Sequence, residues 1–155
     1  MGTERWTVTR DGVTRSYSAE VDVVADFIQP CGHCGTPCTG TIRVWYVDDG
    51  RRMAFETDRG SLIGPLEQLV GTAIERGDYA ALPAFVRDWN EGTGWVAVDL
   101  DDGAVVAADD LLRTVDALEE NRPAEAVRLG KLLCGLRAVV SAAAHEGREV
   151  WASET

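Results

Sequence analysis

The sequence predicts an α+β fold: an antiparallel sheet built from three hairpins, with helices packed on one face and a Cys-rich metal knuckle. Three observations carry this expectation. Asp-Gly recurs three times between β-prone runs, helical periodicity occupies the stretches between and after them, and three of the four cysteines crowd into residues 31–38.

The first pair, Asp11-Gly12, separates Trp6 to Thr9 from Val13 to Tyr17. The second, Asp49-Gly50, separates Ile42 to Val47 from Met53 to Glu56, and the third, Asp102-Gly103, separates Trp95 to Leu100 from Ala104 to Ala107. Asp-Gly tolerates the positive φ angles of tight two-residue turns, so each pair marks an antiparallel hairpin. Weak alternation over Trp95 to Asp99 suits a strand covered on both sides.

Helices fill the remaining sequence. Leu66, Leu69, Val70, Ala73 and Ile74 recur on one helical face behind Pro65, with Gly77 as the stop. A short helix over Tyr79 to Trp89 takes Asp78 as its N-cap and is disturbed early by Pro83. Asp109 or Asp110 caps a third helix that ends at Glu120. Asn121 to Pro123 break the chain before a long helix from about Ala124 to His145, stopped near Gly147. This C-terminal pair occupies residues 109–146. Along the long helix Leu129, Leu132, Leu133, Leu136, Val139, Val140 and Ala143 form an apolar face. Gly130, Cys134, Ala138 and Ser141 form a second face of small side chains, open to close approach by another element.

The chain of 155 residues contains no repeat and no low-complexity linker, which predicts one domain over 1–155. Fifteen Lys and Arg against 26 Asp and Glu leave a net charge of −11. A field of that sign repels nucleic acid and anionic lipid and favours a basic protein partner. Met1 to Arg10 is polar, with no export signal in it, and the apolar stretch Leu136 to Ala144 is interrupted by Arg137 and Ser141. The expectation is a cytoplasmic, non-membrane protein with reduced thiols.

The segment Pro30-Cys31-Gly32-His33-Cys34-Gly35-Thr36-Pro37-Cys38-Thr39-Gly40 holds the strongest chemical signal. Cys-x-x-Cys-Gly presents two thiolates from one turn, because Gly after the second Cys adopts positive φ and backbone N–H groups then face the sulfurs. Cys38 adds a third thiolate. A structural zinc ion takes four ligands, which makes Cys31, Cys34, Cys38 and Cys134 the expected set. His33, His145 or water are the alternatives for the fourth position. Cys134 and His145 lie about 16 Å apart along one helix, so they cannot share an ion.

Other chemistry competes for the same residues. Cys31-Gly32-His33-Cys34 resembles the active-site motif of protein disulfide isomerases, identical over those four residues, and that resemblance implies a thiol oxidoreductase. Its first thiolate would need a helix N-terminus, whereas Gly35 and Pro37 follow at once and no βαβ pattern surrounds the motif. An iron–sulfur cluster also takes four thiolates, but the spacing Cys-x2-Cys-x3-Cys departs from the ferredoxin patterns.

Elsewhere catalytic groups are scarce. No Gly-x-Ser-x-Gly, Walker or Gly-x-Gly-x-x-Gly pattern occurs, and a Ser-His-Asp arrangement would rest on His145 alone. In Asp99-x-Asp101-Asp102-Gly103 the glycine arrives one residue too early for a calcium loop. Of five tryptophans, Trp89 and Trp151 are expected to be exposed. Trp89, Glu91 and the carboxylates Asp99, Asp101, Asp102, Asp109 and Asp110 are the expected docking face for a basic partner. The functional expectation is a small zinc-stabilised adaptor or inhibitor acting by protein–protein contact, neutralising a basic partner such as a toxin or nuclease. No enzymatic activity is expected.

Overall fold

The computed structural model describes residues 3–10, 13–29, 40–91 and 104–154; for 3–10, 13–22, 104 and 154 it describes the backbone alone. Strands β1 (Thr3–Arg10), β2 (Val13–Phe27), β3 (Thr41–Asp48) and β4 (Arg51–Asp58) come first. Helix α1 (Arg59–Arg76), a 3-10 turn (Tyr79–Ala81) and α2 (Ala84–Asn90) follow. The chain closes with β5 (Ala104–Val106), α3 (Ala108–Glu120), α4 (Val127–His145) and β6 (Val150–Glu154). The fold is α+β, with one sheet in the order β1-β2-β4-β3-β6-β5.

Two of the expected hairpins form. In the β3–β4 turn Asp49 has φ of 51° and Gly50 of 76°, directly between the paired Asp48 and Arg51. Both angles are positive, as the tightest hairpin turn requires, and Asp and Gly bear that at little cost. Arg10 pairs with Val13, closing the β1–β2 hairpin. For the third hairpin, Trp95 to Leu100 and Asp102-Gly103 lie outside the described residues; β5 pairs with β6.

The sheet is mixed rather than antiparallel, because β4 inserts between β2 and β3 and runs parallel to β2. β2 also continues ten residues beyond Tyr17 to Phe27. Its run Val21-Asp22-Val23-Val24 lacks clean alternation because a bulge lies between Val23 and Ala25. Val23 pairs with Ala54 and Ala25 with Phe55, so the extra residue, Val24, sends Val23 and Ala25 to opposite faces of the sheet. Val24 itself is 49% exposed.

The described helices pack on one face. Ile42, Val44, Phe55, Val150 and Ala152 of the strands meet Leu62, Leu66, Val70, Leu111, Val115, Leu132, Leu136 and Val140 of the helices in the main core. Leu132, Leu133, Leu136, Val139, Val140 and Ala143 are the buried face of α4, as the periodicity predicts. On the opposite face Trp45, Ala54 and Trp151 form a second buried cluster, with Arg52 stacked 4.3 Å over the Trp45 ring. Arg43 and Glu56, register partners on that face, form a partly buried ion pair at 2.7 Å. Trp151, expected to be exposed in the tail, is buried, because the tail is strand β6 between β3 and β5.

Helix boundaries depart from expectation where partners lie far along the chain. α1 begins at Arg59, six residues before Pro65, because Asp58 caps it by accepting the Ser61 N–H. Pro65 is carried inside the helix, and Gly77, with φ of 73°, ends it. Asp78 makes no side-chain cap, and Pro83 splits the next segment into the 3-10 turn and α2. Asp110 does not cap its own helix. Its carboxylate accepts the Ala84 N–H at 3.0 Å and the Phe85 N–H at 2.6 Å, capping α2 from 25 residues away. No described helix is long and apolar enough to cross a membrane.

Gly135 marks the tightest approach of α4 to the sheet: a Cβ there would lie 2.5 Å from Phe27 Cε2. Gly135→Ala is expected to destabilise the protein by about 1–3 kcal/mol, since the ring or helix must shift. Gly71, inside α1 with open space around it, gives the opposite sign: Gly71→Ala should stabilise by up to ~1 kcal/mol. Denaturant unfolding of both variants checks the contrast. Tyr46 supplies a pH test. Burial, then Glu146 and Asp48 against an opposing Arg148, raises its phenol above 10.0. A folded value above the unfolded one means stability complete below the unfolded value and lost as pH rises through the folded one. Melting temperature should therefore fall above pH 10, and Tyr46→Phe should flatten that fall.

Candidate functional site

Cys31, Cys34, Cys38 and His33 lie outside the described residues, but both ends of their loop are described. β2 is parallel and β3 antiparallel to β4, so Phe27 and Thr41 reach the same end of the sheet, on either side of Thr57 and Asp58. The described ends of the connection, Gln29 and Gly40, therefore lie at one end of the sheet on either side of β4, two strand spacings or about 10 Å apart.

Asp58 organises the corner where β4 turns into α1. It is buried, and its Oδ1 accepts the Gln29 N–H at 2.9 Å, holding the chain as it leaves β2. Its Oδ2 accepts the Ser61 N–H at 3.1 Å and the Ser61 hydroxyl at 2.7 Å, opening α1. Arg128, in the first turn of α4, lies 3.6 Å from Asp58 Oδ1 and donates to Ser61 Oγ at 2.8 Å and to the Phe27 carbonyl at 2.5 Å. The next residue completes the clamp: Arg59 N–H donates to the Gly40 carbonyl at 2.8 Å. Residues 30–39 thus leave from Gln29 and return at Gly40, with both ends bound to neighbouring residues of one corner. Fixing the ends of a loop removes its closure entropy, a part of what a metal would otherwise have to overcome when drawing three thiolates together.

Cys134 is a free, exposed cysteine on α4. It precedes Gly135, which lies against Phe27 and Ala25 of β2, and it follows the Arg128 clamp by six residues, about 9 Å along the helix. α4 thus runs from the stem of the loop along the end of β2, with Cys134 on its open side. His145 is exposed at the far end of the same helix. Among the described residues no group of three His, Cys, Asp or Glu side chains is arranged to hold a metal.

Only part of the expected docking face falls among the described residues. Asp110 is engaged in capping α2, and Trp89 packs, half-buried, against the main core. Asp109 and Glu91 are exposed, while Asp99, Asp101 and Asp102 lie outside the described residues. Compared with family models, with curated proteins and with solved structures, the chain matches none.

Sequence reading missed Asp58 and Arg128. Asp58-x-x-Ser61 is a legible helix start, because an Asp three residues before a hydroxyl is a recurrent N-cap arrangement. Arg128 carries no local signal, since its partners are 67 and 101 residues away. Asp58→Ala should cost about 2–3 kcal/mol, more than loss of an ordinary cap, because it strands three donors at once. Ser61→Ala should cost about 1 kcal/mol, and chemical denaturation of the two variants measures the difference.

Proposed function

We propose that residues 30–40 form a structural zinc knuckle, and that the chain is a small cytoplasmic zinc-stabilised adaptor or inhibitor acting by protein–protein contact. The observation that carries the reading is the clamped stem: Gln29 is held by Asp58 and Gly40 by Arg59. A Cys-x-x-Cys-Gly turn closed at both ends is the arrangement in which one loop presents several thiolates to one ion. The expected ligands are Cys31, Cys34 and Cys38, with Cys134 as the fourth. The exposed position of Cys134 beside the end of β2 favours that assignment, because its thiol is not enclosed in the core. Four thiolates make an electron-rich, closed site suited to holding structure rather than activating water.

The partner is read from charge. At −11 the chain attracts a cationic protein, and neutralising a basic toxin or nuclease is the form of action that this field suits best.

Metal analysis of protein purified without added metals tests the proposal. One zinc per chain is expected, and Cys34→Ser should release it and lower the melting temperature. Cys134→Ala should reduce zinc retention; full retention would move the fourth position to His33 or water. Iron with acid-labile sulfide would replace zinc by a cluster. A metal-free chain with a titratable Cys31–Cys34 disulfide would replace the adaptor by a thiol oxidoreductase.

A further inference from the structure

We propose that the outer edge of β2 over residues 21–27, with the apolar groove between it and α4, receives an extended basic segment of a partner protein as an added strand. The inference rests on the adaptor reading for the existence of a protein partner, and not on the metal.

β2 is longer than either neighbour. One edge pairs with β4 over residues 20–27, and the other pairs with β1 only over residues 13–20. Past Glu20 no described strand covers the outer edge; the Phe27 carbonyl at its end accepts from Arg128, and residues 21–26 lie in line with a strand continuing the course of β1. Such edges are normally kept from pairing with a like edge by Pro, charged side chains or bulges. Residues 21–27 have no Pro or Lys but carry Asp22, Asp26 and a bulge, a guard against a like chain and not against a basic one. The bulge at Val24 also brings an apolar side chain out to the rim.

Beside this edge lies a groove of about 550 Å³, lined by Val24, Phe27, Tyr46, Met53, Ala138 and Ala142. On the α4 side its wall is Gly135, Ala138 and Ala142 together with Val139, and Gly135 against Phe27 sets the helix close to the sheet. A strand laid on the β2 edge would place alternate side chains over this groove, the arrangement in which strand addition gains affinity from the backbone and selectivity from pockets.

Charge decides between occupants. β2 carries Asp22 and Asp26 in this stretch, and Asp26 is exposed at the groove. Two copies of the chain, each at −11, would bring like charge against like charge along this edge, which is destabilising. A segment alternating apolar residues with Lys or Arg fits both the groove and its rim.

Panning the full chain with phage-displayed nine-residue random peptides, at low and physiological salt, tests the proposal. Peptides alternating Lys or Arg with apolar residues should be enriched. A synthetic copy of the most enriched one should shift the amide signals of 21–27 and 135–142 in NMR spectra. Ala138→Lys, on an exposed position of the groove wall, should weaken binding at least tenfold. Asp26→Lys should weaken it several-fold and reduce its salt dependence. Failure to enrich any peptide, enrichment of acidic or uncharged ones, or affinity unchanged in Ala138→Lys would each overturn the groove. Concentration-dependent dimerisation lost in Ala138→Lys would overturn it in favour of a second copy. A partner isolated from the native host that binds Ala138→Lys normally would sink the groove alone. Peptides that bind the groove while no host partner exists would sink the adaptor reading alone.

Discussion

Everything at one end of this molecule converges on the carboxylate of Asp58. It ends β4, opens α1, holds the exit of β2 through the Gln29 amide, and faces the guanidinium of Arg128 from the first turn of α4. A buried carboxylate is unfavourable unless its lone pairs are satisfied, and here they take two backbone N–H groups and a hydroxyl beside a cation. The same residues hold the stem of the cysteine loop. The described ends of that segment are therefore tied to the packing of α1 and α4.

A second constraint shapes the sheet. β4 lies between β2 and β3, and Gln29 and Gly40, which flank the cysteine-rich residues, are held on either side of it. The insertion also leaves β2 flanked on both edges only at Glu20, where pairing passes from β1 to β4. The bulge at Val24 reconciles β2 with two different faces: Val23 joins the tryptophan layer, while Ala25 and Phe27 join the helix-covered core. It also leaves the outer edge of β2 beside a groove bounded by small residues of α4.

Two features meet at the β2–α4 margin, the held residue Gln29 at the exit of β2 and a strand edge that no described strand covers past Glu20. α4 serves both. Arg128 binds the loop stem, Gly135 lets the helix approach Phe27, and Ala138 and Ala142 line the groove. Metal binding at the loop and partner binding at the edge would share that helix, so an adaptor stabilised by zinc would hold its docking groove in shape through the same contacts.

Local signals determined a good part of this protein. Asp49-Gly50 specified its turn because few other pairs accept two successive positive φ angles, and the 3.6-residue period specified the buried face of α4 because one face must leave water. The crowding of Cys31, Cys34 and Cys38 is a signal of the same local kind, and it falls outside the described residues. Only the tertiary structure decided what depends on distant partners. Asp110 caps α2 rather than α3, β4 inserts beside β2 in parallel, Trp151 is buried in a strand rather than exposed in a tail, and Arg128 reaches the stem of the loop. Sequence spacing cannot rank such contacts, because each depends on where the sheet order brings two remote segments together.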